Sequence, residues 1–146
     1  MSLKTDIIFV NAIRSNDELI ALLPAGDVYN TTIALPEPEA LNAPLPYIIV
    51  SYEGMQNDQS TKDGYEGDFD RVTIQVEVAA ETRAQLCDLM EDIRSSVLNY
   101  FETLTSTDDD FDLLPEDYQL SASGVQYDDM KPCYWQTFTY ICDTKV

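Results

Sequence analysis

Arg71-Val72-Thr73-Ile74-Gln75-Val76-Glu77-Val78 alternates polar and apolar side chains without an exception. A strand turns successive side chains to opposite faces, so this stretch has one apolar and one polar face. Its valines and isoleucine need a second layer to cover them. That layer follows at once in the chain. Thr82 and Gln85 form a capping box, and behind it Leu86, Leu89, Met90, Ile93, Val97, Tyr100 and Phe101 recur at three- and four-residue steps. The spacing predicts a helix from about Arg83 to Glu102 whose stripe packs on the sheet.

The other segments supply the rest of that sheet. Asp6 to Leu23 carries Ile7, Ile8, Val10, Ile13, Leu19, Ile20 and Leu23 at mostly helical spacings, and the Ser15/Glu18 capping box predicts a break at Ser15 and a restart. Gly26 and five prolines, Pro24, Pro36, Pro38, Pro44 and Pro46, forbid a helix there, leaving an extended connector with a short strand at Val28 to Leu35. Tyr47 to Tyr52 is a continuous apolar run, read as a strand buried on much of both faces and released at Glu53-Gly54. Met55 to Asp68 is polar with Gly64 and Gly67, a loop longer than the roughly two to five residues of ordinary hairpins. Two strands follow the acidic connection Asp108 to Asp112, around Tyr118 to Tyr127 and Tyr134 to Cys142, joined through Asp128 to Pro132. The last carries aromatics on both faces, so it is central or covered by a neighbouring chain. Residues 1–146 are thus expected to form a single α+β domain. Its sheet is mostly antiparallel with four to five strands, one long helix and an N-terminal helical segment pack on it, and a long loop joins the first two main strands.

Composition narrows the chemistry. The chain has 27 acidic and 8 basic residues, no histidine and a formal charge of −19. Such a surface gains nothing from counterion release on a phosphate backbone, so direct nucleic-acid binding is not expected. Without histidine the commonest proton shuttle and every Ser-His or Cys-His pair are missing, and an enzyme is not expected. Adjacent carboxylates carry no information where acids are this abundant. Asp108, Asp110 and Asp112 match the first three EF-hand ligand positions, but Leu113 replaces the turn glycine and Gln119 the bidentate glutamate, so no metal site is expected. Gly64 and Gly67 precede a strand and not a helix, which removes a phosphate cradle, and no cofactor is expected. No apolar run approaches the ~20 residues of a membrane span, and the first residues carry charges where a secretion signal needs an apolar core. Cys133 and Cys142 fall on opposite faces of one strand, roughly 30 Å apart, so they cannot bridge. Cys87, beside the helix stripe, is expected to be buried.

From Asp27 to Cys142 the chain resembles the tail-completion family of long-tailed bacteriophages, whose members are called tail terminator, neck or head-to-tail joining proteins. The residues that carry the likeness are Val28-Tyr29 before the proline-rich connector, Pro44 to Ser51, Asp63-Gly64 in the polar loop, Asp70 to Val78, and the helix Ala84 to Leu98. The resemblance implies a structural virion subunit that joins identical copies into a ring, typically of six, capping the tail tube and docking to the head connector. Its place would be the tail or neck of the particle, after synthesis in the cytoplasm of a bacterial host, and neither membrane nor nucleic acid is a partner. The loop between the first two main strands is expected to project toward the tube or a neighbouring subunit, with Asp63, Gly64, Tyr65, Gly67, Phe69 and Asp70 as the interaction loop and Tyr65 and Phe69 as its anchors. The stretch Asp108 to Leu114 and the high acidity depart from the family pattern. The competing reading is an acidic mimic of nucleic acid that inhibits a DNA-binding protein.

Overall fold

The structure, a computed structural model, describes residues 2–30, 44–57 and 69–145. A 3-10 turn at Ser2–Lys4 leads into helix α1 (Thr5–Arg14) and the short α2 (Asp17–Ala21). Strands β1 (Tyr29–Asn30), β2 (Tyr47–Gln56) and β3 (Phe69–Ala80) precede the long helix α3 (Arg83–Thr103). A second 3-10 turn at Asp109–Leu113 is followed by β4 (Asp117–Ala122), β5 (Gln126–Asp128) and β6 (Cys133–Lys145). The strands form one mixed sheet in the order β1-β2-β3-β6-β4, with β5 also paired to β6. Only the β1–β2 pair is parallel among the described strands.

The alternation at Arg71–Val78 sets which face is inside. Val72, Ile74, Val76 and Val78 are fully buried, and the register extends their row to Ile48 and Val50 on β2 and to Phe138, Tyr140 and Cys142 on β6. The buried stripes of α1 and α3 join the same apolar cluster, so both helices cover this one face. Phe9 of α1 sits at its centre, its ring 5.3 Å from Phe101 and 4.8 Å from Tyr140. Burying a side chain of that size stabilises the fold by roughly 1.5–3 kcal/mol.

The helix break falls where the sequence places it, but its cap is Asn16 and not Ser15. Asn16 Oδ1 accepts from the Leu19 N–H, while Ser15 Oγ donates back to the Ala12 carbonyl at 2.6 Å. Asn16 Nδ2 also donates to Ser96 Oγ on α3 at 2.9 Å, which ties the break to the long helix. A bidentate Arg14–Asp27 pair, both contacts 2.8 Å, fastens the end of α1 to the chain leading into β1. The 3-10 turn after α3 is held by Asp110, whose Oδ2 accepts from Tyr100 Oη at 2.6 Å and from Asn11 Nδ2 at 2.8 Å.

Several expectations need correction. The single strand expected at Tyr118 to Tyr127 divides into β4 and β5, which brings the sheet to six strands, and between the two pieces Ser123 Oγ accepts the Thr137 N–H. β2 is not buried on both faces: Ile48 and Val50 are fully buried, whereas Tyr47, Ile49 and Ser51 are half-buried. Nor does Glu53-Gly54 end it, because Gly54 at φ 153° carries a bulge that skips Glu53 and lets pairing run on to Gln56. Cys87 is exposed, one residue past Leu86 and so turned off the buried stripe. Of the strand expected at Val28 to Leu35, Tyr29 and Asn30 form β1, Val28 precedes it outside the strand, and residues 31–35 lie outside the described residues.

Candidate interaction surface

The proposed interaction loop is only partly among the described residues. Asp63, Gly64, Tyr65 and Gly67 lie outside them. Phe69 is the first residue of β3 and is 41% exposed, and Met55 near the end of β2 is 44% exposed. Two apolar side chains therefore stand open near the strand ends that border residues 58–68. Asp70 is different. It continues the inward row of Val72 and Ile74, is 7% exposed, and its Oδ1 accepts from Asn57 Nδ2 at 2.7 Å. The same nitrogen donates to the Phe69 carbonyl at 3.2 Å, so Asn57 clasps the two strand ends together. Asp70 is thus a root of the loop and not a group presented to a partner.

The second candidate surface is the outer face of the sheet, which no described helix covers. Its central rows run across three strands: Tyr47, Ala79 and Trp135; Ile49, Glu77 and Thr137; Ser51, Gln75 and Thr139. A single carboxylate, Glu77, stands among these nine side chains, and burial raises its pKa. In a chain of formal charge −19, this is a neutral field of small polar, β-branched and aromatic groups. Arg71 and Asp143 close one end of it with an ion pair at 3.4 Å. At the other end Lys131 Nζ lies 5.3 Å from the centre of the Tyr47 ring, and burial pushes the Tyr47 phenol up to about 12, with Glu77 adding to the shift. The rim of the sheet beyond β6 is formed by β4, whose six residues have no further strand beside them among the described residues.

Neither surface assembles acid–base or nucleophilic machinery. Two grooves of about 230 Å³ flank Leu114: one is lined by Thr5, Phe111, Leu113 and Thr144, the other by Leu98, Phe101, Pro115 and Tyr118. Among the described residues no three His, Cys, Asp or Glu side chains gather as a metal site, and Asp108, Asp110 and Asp112 do not converge as an EF-hand loop would require. Burial pushes Cys142 up to about 12 and also raises Cys133, so neither buried thiol is activated. Among the described residues no helix is long and apolar enough to cross a membrane.

No family model matches the chain, and no curated protein matches its sequence. The surfaces themselves carry the functional reading. Sequence periodicity contained one signal that the loop assignment passed over: Asp70 has the parity of Val72, which turns it inward. Asp6 likewise shares helical spacing with Phe9, Val10 and Ile13, and it is buried with them.

Proposed function

We propose that the chain is a structural subunit of a phage tail, which joins copies of itself into a closed ring at the end of the tail tube and there meets the head connector. The observation that carries the reading is the neutral outer face of the sheet. Two copies of a molecule with formal charge −19 repel one another over most of their surface. Lasting association requires a patch where that repulsion is small, and a broad sheet face with one charge in its central rows supplies one. The order of elements from Asp27 to Cys142 adds the resemblance to tail-completion proteins, from which the tube and connector are taken as partners. Exposed Phe69 and Met55 fit a loop root that packs against the tube. No enzymatic activity, cofactor or nucleic acid enters the proposal.

Thr137→Glu with Thr139→Glu tests it. Both side chains lie on the outer face and outside the apolar cluster, so the monomer should stay folded, with a melting temperature lowered only by the like charge set opposite Glu77. Sedimentation of the full chain, alone and with isolated tail tubes, should show an assembly that the double variant cannot form. Unchanged assembly in the variant would remove the face from the account. A chain that stays monomeric with tubes, but binds a basic nuclease in a salt-sensitive way, would replace the proposal with the acidic mimic.

A further inference from the structure

At the rim of the sheet β4 leaves one side of its main chain open, and its pairing shows which groups that side offers. The Ser123 N–H donates to the Thr137 carbonyl at 2.9 Å, which marks these two as a hydrogen-bonded pair. Such pairs recur at every second residue of an antiparallel ladder, so Gln119 and Ser121 also turn their main-chain groups to β6, while Tyr118, Leu120 and Ala122 turn theirs outward. The Tyr118 N–H bears this out: it donates to Asp117 Oδ1 at 2.8 Å, a side chain standing in for a strand. Among the described residues nothing meets the outward main-chain groups of Leu120 and Ala122. Sheets commonly guard an edge with lysine, proline or a bulge, and β4 contains none of these.

The side chains of the outward-bonding residues belong to the inner face, where Tyr118 and Leu120 pack on the apolar cluster. Beside them lies the groove of about 230 Å³ lined by Leu98, Phe101, Leu114, Pro115 and Tyr118. Leu98 is 44% exposed there, and the Phe101 ring stands edge-on to Tyr118 at 5.8 Å. A strand paired with Leu120 lays every second side chain on this inner side, where an apolar one finds the groove. The charged lining of the groove is Glu102, Glu116 and Asp117, with no lysine or arginine. On the outer face of the same edge, Asp117 and Gln119 share a smaller hollow of about 120 Å³ with the Arg71–Asp143 pair. A second copy of formal charge −19 is repelled from an acid-rimmed edge, whereas a cationic chain is drawn to it.

We propose that the β4 edge takes up an extended, basic segment of a partner protein as an additional strand, with apolar side chains in the groove beside Leu98 and Tyr118 and lysine or arginine side chains near Asp117 and Glu102. Main-chain bonds to Leu120 and Ala122 supply the pairing, and the groove supplies the preference for apolar residues two apart. The inference does not rest on the ring proposal, which uses the outer face of β3 and β6.

The probe is a short labelled peptide of alternating valine and lysine, titrated into the full chain at about 0.15 M salt, where exposed charges are screened beyond ~8 Å. Wild type should bind it saturably. The same peptide N-methylated at its valines, which loses the N–H groups that face β4, should bind about tenfold more weakly or worse. Ala122→Pro removes an outward N–H and no ladder bond, and should weaken the unmethylated peptide by a like factor, whereas Asp109→Asn, a surface control, should bind as wild type does. Equal binding of the methylated peptide, or equal binding by Ala122→Pro, would show simple attraction to the acidic surface and overturn the site. No saturable binding by wild type would overturn it as well. Should Ala122→Pro fail to fold, amide hydrogen exchange of wild type decides: bound peptide should slow Leu120 and Ala122, and unchanged exchange at both would refute the added strand. Slowing at those two amides as protein concentration rises, with no peptide present, would put a second copy there and overturn the choice of partner.

Discussion

Replacing Tyr140 with phenylalanine should make the protein more stable, against the usual direction for a substitution in a core. Tyr140 is 1% exposed and packs against Phe9, Tyr118 and Phe138 with ring centres 4.8, 5.7 and 6.1 Å away. Its hydroxyl is buried with no hydrogen-bond partner, and burial raises its pKa strongly. A buried unpaired hydroxyl costs about 1–3 kcal/mol, while the ring contacts survive in phenylalanine. The vacated oxygen leaves a small void whose lost contacts offset part of the gain. A net stabilisation of about 1 kcal/mol follows. With a urea m-value of about 2 kcal/mol/M, the unfolding midpoint should rise by about 0.5 M at unchanged m. A midpoint lowered by about 0.5 M would mean that the hydroxyl has a partner, and the reasoning would fail. Phe9→Ala, at the other side of the same contact, should instead cost about 3–5 kcal/mol, because it removes the ring that joins α1 to α3 and β6.

Asp110→Ala removes the acceptor shared by Tyr100 and Asn11, and should cost about 2 kcal/mol by urea unfolding, with Asp110→Asn losing less. Stability should fall in strong alkali. Burial raises Tyr47 and Tyr100 from 10.0 to about 12 and Cys142 from 9.0 to about 12. The folded chain therefore binds more protons than the unfolded chain between pH 9 and 12, so the stabilisation is complete below pH 9 and is lost as pH rises through that window. Absorbance of tyrosinate at equilibrium should lag in the folded chain and jump on unfolding; simultaneous ionisation of all nine tyrosines near pH 10 would contradict this. A thiol reagent should label Cys87 at once and Cys133 and Cys142 only after unfolding, and fast labelling of all three would contradict their burial.

The elements that bury one face against one layer were legible in the sequence. β3 and α3 each show an uninterrupted period, 2 or near 3.6, and both came out within a few residues of their observed bounds. What local pattern could not show depended on partners distant in sequence. β1 exists because Tyr29 and Asn30 meet Ile49 and Val50 across a proline-rich connector, and nothing near Tyr29 announces a parallel partner. Gly54 reads as a strand terminator, yet β3 keeps pairing past it because the bulge absorbs one residue. The choice of Asn16 over Ser15 as cap turns on which side chain also reaches Ser96 on α3, a contact no capping rule contains. At the candidate surfaces, inward Asp70 was legible from the parity of its strand. The neutral outer face was also written in Thr73, Gln75, Thr137 and Thr139, but its breadth emerged only once the register aligned those residues across strands.

The central claim is self-association into a ring at a tail-tube end, and electron microscopy of the chain incubated with purified tail tubes tests it most directly. The account predicts closed rings seated on one end of each tube, with the outer face of β3 and β6 between neighbouring copies, and bare ends when Thr137 and Thr139 are both glutamate. Tube ends that stay bare with the unaltered chain, and no ring anywhere in the field, would contradict it.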